Sequence, residues 1–176
     1  MRLLDLVLAI GGLLVVAGCS NGDAAASQEQ SWWAWHAEKR DVDRVVDDAI
    51  SEPGGGDYAK AADAIRSSSR PAAVKQFEIG QLVVGGITRN AGRRPPETLE
   101  QGLRMMEDSA VAPGHEPRVA AQQLRILFER GAGAPPHAFP KNAEVAACWL
   151  AVEEKRSEDS ARCIALRRQR LPNIGG

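Results

Sequence analysis

The chain has 176 residues, with 22 Lys and Arg against 23 Asp and Glu and a formal net charge of −1. No basic excess points to a nucleic-acid partner, and no acidic excess points to a store of metal cations. Hydrophobic residues make up 44% and aromatics only 5%, so a core here is aliphatic and small-residue, in a chain long enough for one domain.

Leu6 to Gly18 carries no charge, a run of 13 residues. A membrane-spanning helix needs roughly 20 apolar residues; the shorter run has the length of a secretory signal's hydrophobic region. Arg2 supplies the positive end, weakened by Asp5. The run closes on Val16-Ala17-Gly18-Cys19. This resembles the bacterial lipobox, an aliphatic residue and two small ones before a cysteine. The resemblance implies that residues 1–18 are a signal peptide, cut before Cys19, and that the Cys19 thiol carries a diacylglycerol. Ser20 in place of Asp implies the periplasmic face of the outer membrane. One acyl chain anchors marginally at about 0.8 kcal/mol per buried CH₂, so two or three hold firmly. Residues 19–30, containing "SNGDAAASQEQ", read as a flexible tether with a mean reach of roughly 17–20 Å. The folded part is expected over 31–171, with 172–176 as a tail.

From there apolar residues recur near period 3.6, and almost nothing alternates at period two. The fold class is all-α. A first helix is predicted over about 29–51, with Trp32, Trp35, Val42, Val45, Val46 and Ala49 on one stripe. A second spans about 57–67, with Tyr58, Ala61, Ala62 and Ile65 inward. Pro71 opens a third, about 71–86, burying Phe77, Ile79, Leu82 and Val83 and stopped by Gly85-Gly86. The fourth, about 96–109, carries Leu99, Leu103 and Met106. The fifth, about 116–130, carries Val119, Ala120, Leu124, Leu127 and Phe128, with Gly131 as its cap. The sixth, about 141–155, offers Ala143, Ala147, Leu150 and Ala151 as its inner face. The seventh, about 158–171, stops at Pro172.

Two stretches, "AVKQFEIGQLVVGG" and "RVAAQQLRILFERGAG", each end a helix in an aromatic and then glycine, with Gly86 matching Gly131. A Pro-containing loop and a helix rich in small residues follow each. "NAEVAACWLAVEEKRSEDSARCIALRRQR" pairs a Trp-bearing helix with an Ala-rich one. Ala120, Leu124, Phe128 and Gly131, then Ala147, Trp149 and Ala151, carry a resemblance to the Sel1-like repeat family, a relative of the tetratricopeptide repeat. It covers roughly residues 57–171. The loops after Gly86 and Gly131 are longer than the family norm, a glycine is replaced near Lys155-Arg156, and the last helix lacks its aromatic and glycine. The resemblance implies antiparallel helix pairs stacked as a short α-solenoid, each burying its face against the next. It also implies protein binding along a groove, not catalysis. The expected function is an envelope-anchored, non-enzymatic scaffold or regulator. The alternative is an immunity protein that blocks an antibacterial effector such as a lipase or peptidoglycan hydrolase.

The residue types that carry chemistry are scattered. His36, His115 and His137 form no metal-ligand spacing, no Gly-x-Ser-x-Gly elbow occurs, and Gly54-Gly55-Gly56 lacks the Lys-Ser/Thr of a phosphate loop and reads as a flexible turn. Asp47-Asp48 and Glu153-Glu154 are sequence neighbours that point apart on a helix. No cofactor and no metal are expected. The expected partner is a protein of the cell envelope, with the membrane reached through the lipid. Candidate partner-binding residues are Trp33, which leaves the stripe of its neighbours, and Arg104, Gln123, Arg167 and Arg168 on inward helices; "RRQR" also suits a solvated helix end. Cys148 and Cys163 lie equidistant from the turn of the last hairpin, so a disulfide is expected, closing a loop of about 16 residues at a gain of roughly 3 kcal/mol. The alternative is two small apolar residues at a close helix contact.

Overall fold

The computed structural model describes residues 39–112, 117–134, 137–154, 159–172 and 174. The expected signal peptide, the tether, Cys19 and Trp32, Trp33 and Trp35 lie outside the described residues. The chain divides into two compact units, Met1–Arg40 and Asp41–Gly176. Of the first unit only Lys39 and Arg40 are described, both helical.

Seven helices occur among the described residues: α1 (39–50), α2 (Tyr58–Ser67), α3 (Ala72–Thr88), α4 (Leu99–Ser109), α5 (Pro117–Arg130), α6 (Ala143–Glu153) and α7 (Ser160–Arg170). Side-chain caps set the starts of α2, α4, α6 and α7, whereas α3 starts after Pro71 without one. The carboxylate or amide oxygens of Asp57, Asn142 and Asp159 accept from the backbone N–H groups of Lys60, Val145 and Arg162. Thr98 and Gln101 form a reciprocal capping box, which satisfies two otherwise orphaned donors. That box starts α4 at Leu99, inside the expected start at about 96.

Helices that follow each other in the chain pair with each other. Tyr58 lies against Gly86 while Lys75 reaches back to the Arg66 carbonyl, so α2 and α3 run in opposite directions. Phe128 and Asn142 join one end of α5 and α6, and Arg118 and Glu153 join the other. Cys148 meets Cys163, and Glu144 meets Arg170, between α6 and α7. One side chain departs from chain order: Arg167 of α7 reaches Glu100 and Glu107 of α4.

Two apolar clusters result. One gathers Ala49, Tyr58, Ala61, Ala62, Ile65, Ile79, Leu82, Val83 and Ala91 around α1 to α3. The larger joins α3 to α7 through Phe77, Leu103, Leu124, Phe128, Trp149 and Ile164. The inner faces expected of α2, α3 and α4 are buried as read. Phe139 and Ile174, from segments read as loop and tail, also enter the larger cluster. The Phe139 ring sits 5.1 Å from that of Phe128, and Ala132 and Phe139 exchange backbone hydrogen bonds that close the loop over it.

The structure corrects several of these expectations. On α6 the buried residues are Val145, Ala146, Trp149 and Val152, whereas Ala143 and Ala147 are exposed. The helix is apolar nearly all round, so period selects no face, and the larger side chains take the core because they bury more area. Val119 is exposed at 44%, and Val45, expected on the apolar stripe of the first helix, at 41%. Finally, α3 does not stop at Gly85-Gly86 but runs to Thr88, with Asn90 in the left-handed region at φ 51°. The glycines are there for closeness: a Cβ on Gly86 would sit 3.1 Å from the Tyr58 ring. The Gly54-Gly55-Gly56 turn is likewise docked, Gly56 being buried and its carbonyl accepting from the Arg93 N–H.

The α3–α4 crossing depends on Gly80 and Gly102. A Cβ on Gly80 would lie 2.6 Å from the Gly102 carbonyl oxygen, and one on Gly102 would lie 2.6 Å from Val83 Cγ1. The first obstacle is backbone and cannot rotate away. Gly80→Ala is therefore expected to lower stability by about 1–3 kcal/mol through overpacking, although alanine is the better helix former. A urea melt checks this; an unchanged or raised midpoint contradicts the crossing.

Candidate functional site

Of the residues expected to bind a partner, Arg104 and Arg167 meet on Glu100 and Gln123 lies elsewhere, in a recess beside α3. Cys19 and Trp33 lie outside the described residues. Arg167, expected in a groove, is fully buried. Its Nε and Nη2 donate to the two Glu107 oxygens at 2.8 and 2.6 Å, and Nη1 donates to Glu100 at 3.0 Å. Arg104 also donates to Glu100, at 2.8 Å. Glu100, Arg104 and Glu107 fall at i, i+4 and i+7, one face of α4. Burial pushes the Glu107 carboxyl up, against the two Arg167 bonds and the nearby Arg168 charge that pull it down. A fully buried guanidinium with every nitrogen bonded is part of the fold, not of a surface a partner can touch. Arg168 itself is exposed. The signal missed in the sequence was the acid pair seven residues apart on α4, which leaves a carboxylate on the inner face.

Gln123 does line a recess. It lies between α3 and α5, the two helices whose sequences match, and its volume is about 290 Å³. Val84, Met106, Ile126 and Leu127 give it apolar walls, and Gln81 and Gln123 face it with amides. At the end where both helices finish stand Arg89 and Arg130. Arg89 donates to the Tyr58 hydroxyl at 2.9 Å. Among the described residues neither arginine has a carboxylate partner. Gly131 caps α5 at φ +69°, and the Lys141 stem crosses it, 3.0 Å from where a Cβ would be. This recess can hold an extended chain: apolar walls for side chains, amides for a backbone, and cations at one end.

A second groove, about 540 Å³, runs between α6 and α7 over Ala147, Cys148, Ala151, Ala165 and Leu166, with Glu144 and Arg162 at its rim. Its floor is the alanine face of α6 that was expected in the core. The Cys148–Cys163 disulfide, with Cα atoms 5.6 Å apart, lies at this groove. A structural disulfide suggests an oxidising, extracytoplasmic compartment.

Among the described residues no group of three or more His, Cys, Asp or Glu side chains is placed to hold a metal ion, and no helix is long and apolar enough to cross a membrane. Asp47 and Asp48 are exposed, and Glu153 is held by Arg125 at 2.6 Å. No protein-family model, no curated protein and no solved structure matches this chain.

Proposed function

We propose that the chain is a lipid-anchored, non-enzymatic protein-binding module of the cell envelope, acting as scaffold or regulator. In this reading Cys19 carries the lipid, residues 19–30 are the tether, and the helical domain is a short stack of Sel1-like pairs. The observation that carries it is the recess between α3 and α5. Repeats in register present equivalent helices side by side, and a stack of such pairs binds along the surface those helices share. The recess lies between the matched helices and contains Gln123, with polar groups spaced along apolar walls. The disulfide supports a location outside the cytoplasm, in keeping with the lipobox-like Val16 to Cys19.

Both halves of the proposal are open to one set of cells. Wild type is expected to take up a palmitate analogue and to fractionate with membranes, whereas Cys19→Ala does neither. Gln123→Trp, which fills the recess without entering the core, is expected to stay anchored and lose its partner. A wild type without label contradicts the anchor. A partner retained by Gln123→Trp contradicts the recess.

A further inference from the structure

Several arginines of the helical unit have no carboxylate partner among the described residues, Arg94, Arg118, Arg162 and Arg168 among them, and Arg89 and Arg130 are the two that line the α3–α5 recess. On α4 to α7, Arg104, Arg125, Arg167 and Arg170 each end on a glutamate. At the recess, Arg89 has only the Tyr58 hydroxyl, and Arg130 has no ion-pair partner among the described residues. Arg89 and Arg130 stand where α3 and α5 end, and the Lys141 stem passes Gly131 beside them. The chain as a whole carries a net charge of −1, so this is a local feature and not a consequence of composition. Helix C-termini attract cations through the backbone dipole. That explains one arginine at each helix end, but not why both face one recess with apolar walls.

Resting on the protein-binding reading above, we propose that the recess takes an extended, acidic segment of a partner protein. Its carboxylates seat against Arg89 and Arg130, and its backbone amides pair with Gln81 and Gln123. Guanidinium groups bind carboxylates through paired N–H donors, which gives both strength and direction. A flanking apolar side chain enters between Val84, Met106, Ile126 and Leu127. An anionic membrane surface fits less well, because a flat bilayer cannot enter a recess and leaves the amides unused. Acidity then sets which segments bind and how fast they arrive, the usual contribution of rim charge.

The test uses the full, oxidised chain in detergent and a fluorescent decapeptide alternating Leu and Glu. Matched peptides carry Gln or Lys in place of Glu. At low salt the Glu peptide is expected to bind about tenfold tighter than the Gln peptide, roughly what two partly exposed ion pairs provide. That preference should fade as salt rises, and the Lys peptide should bind weakest. Arg89→Gln with Arg130→Gln should bring the Glu peptide down to the level of the Gln peptide. Arg130→Gln alone, which leaves the Arg89–Tyr58 bond intact, should remove part of the preference. Equal binding of Glu and Gln peptides, both blocked by Gln123→Trp, overturns the acidic preference while leaving a peptide groove in place. Peptide binding that Gln123→Trp does not block overturns the groove reading together with this one. Binding to phosphatidylglycerol vesicles through Arg89 and Arg130, with no binding of the Glu peptide, overturns it in favour of a lipid surface.

Discussion

Arg167→Ala is expected to destabilise the protein by about 3–5 kcal/mol, the cost of stranding a buried charge. The substitution leaves Glu107, itself fully buried, without the guanidinium that bonds both of its oxygens. The ion pair need not be the best solution energetically. Well-packed apolar pairs often replace buried ion pairs at no loss, so Arg167→Met with Glu107→Met should recover most of what Arg167→Ala loses. Urea midpoints of the three proteins decide this. A loss below about 1 kcal/mol for Arg167→Ala, the range of an exposed pair, would place Arg167 on the surface instead. Glu107 adds a pH signature. Its carboxyl is pushed up by burial, so the native protein keeps this proton where the unfolded chain has lost it. The group's contribution is then complete below the ordinary glutamate range and is lost as pH rises through the folded value. The stability difference between wild type and Glu107→Gln should therefore be larger near about pH 4 than near about pH 7.

Removing the disulfide is the second large effect. Cys148 and Cys163 are separated by 15 positions, and Cys148→Ala with Cys163→Ala should cost about 3 kcal/mol if restriction of the unfolded chain dominates. The loss should concentrate in α7, whose other holds are Ile164 in the core, Arg167 on α4 and Arg170 on Glu144. Hydrogen exchange checks this. In the disulfide-free protein, α7 amides should lose protection first, with those of α2 and α3 nearly unchanged. Uniform loss across all helices would mean that α7 is no more dependent on the bridge than the rest.

The sequence was most legible where one face of a helix differs from the other. The stripes Tyr58, Ala61, Ala62, Ile65 and Leu99, Leu103, Met106 are buried as their spacing predicts. Legibility failed on α6, where alanines surround the helix and volume decides what is inside. It failed again where tertiary contact overrides a local rule. Gly85 and Gly86 look like a helix stop, yet they let the Tyr58 ring approach an unbroken helix. Arg167 looked like a solvated helix end because its partners lie about 60 residues earlier, a separation no local pattern encodes. Of the recess, only Gln123 was legible. Arg89 and Arg130 come together because α3 and α5 end side by side, and no linear spacing announces that. The Cys148–Cys163 bridge was the most readable tertiary feature, because the midpoint of a hairpin is a property of the sequence itself.

The central claim is that a protein partner occupies the recess between α3 and α5. Site-specific photo-crosslinking in living cells addresses it most directly. A photoreactive side chain at Gln123 is compared with one at Gln169, in the α6–α7 groove, and one at Asp63, exposed on α2. The expected result is a discrete protein adduct from position 123, absent from positions 63 and 169. An adduct from position 169 with none from position 123 would contradict the assignment and move the binding surface to α6 and α7.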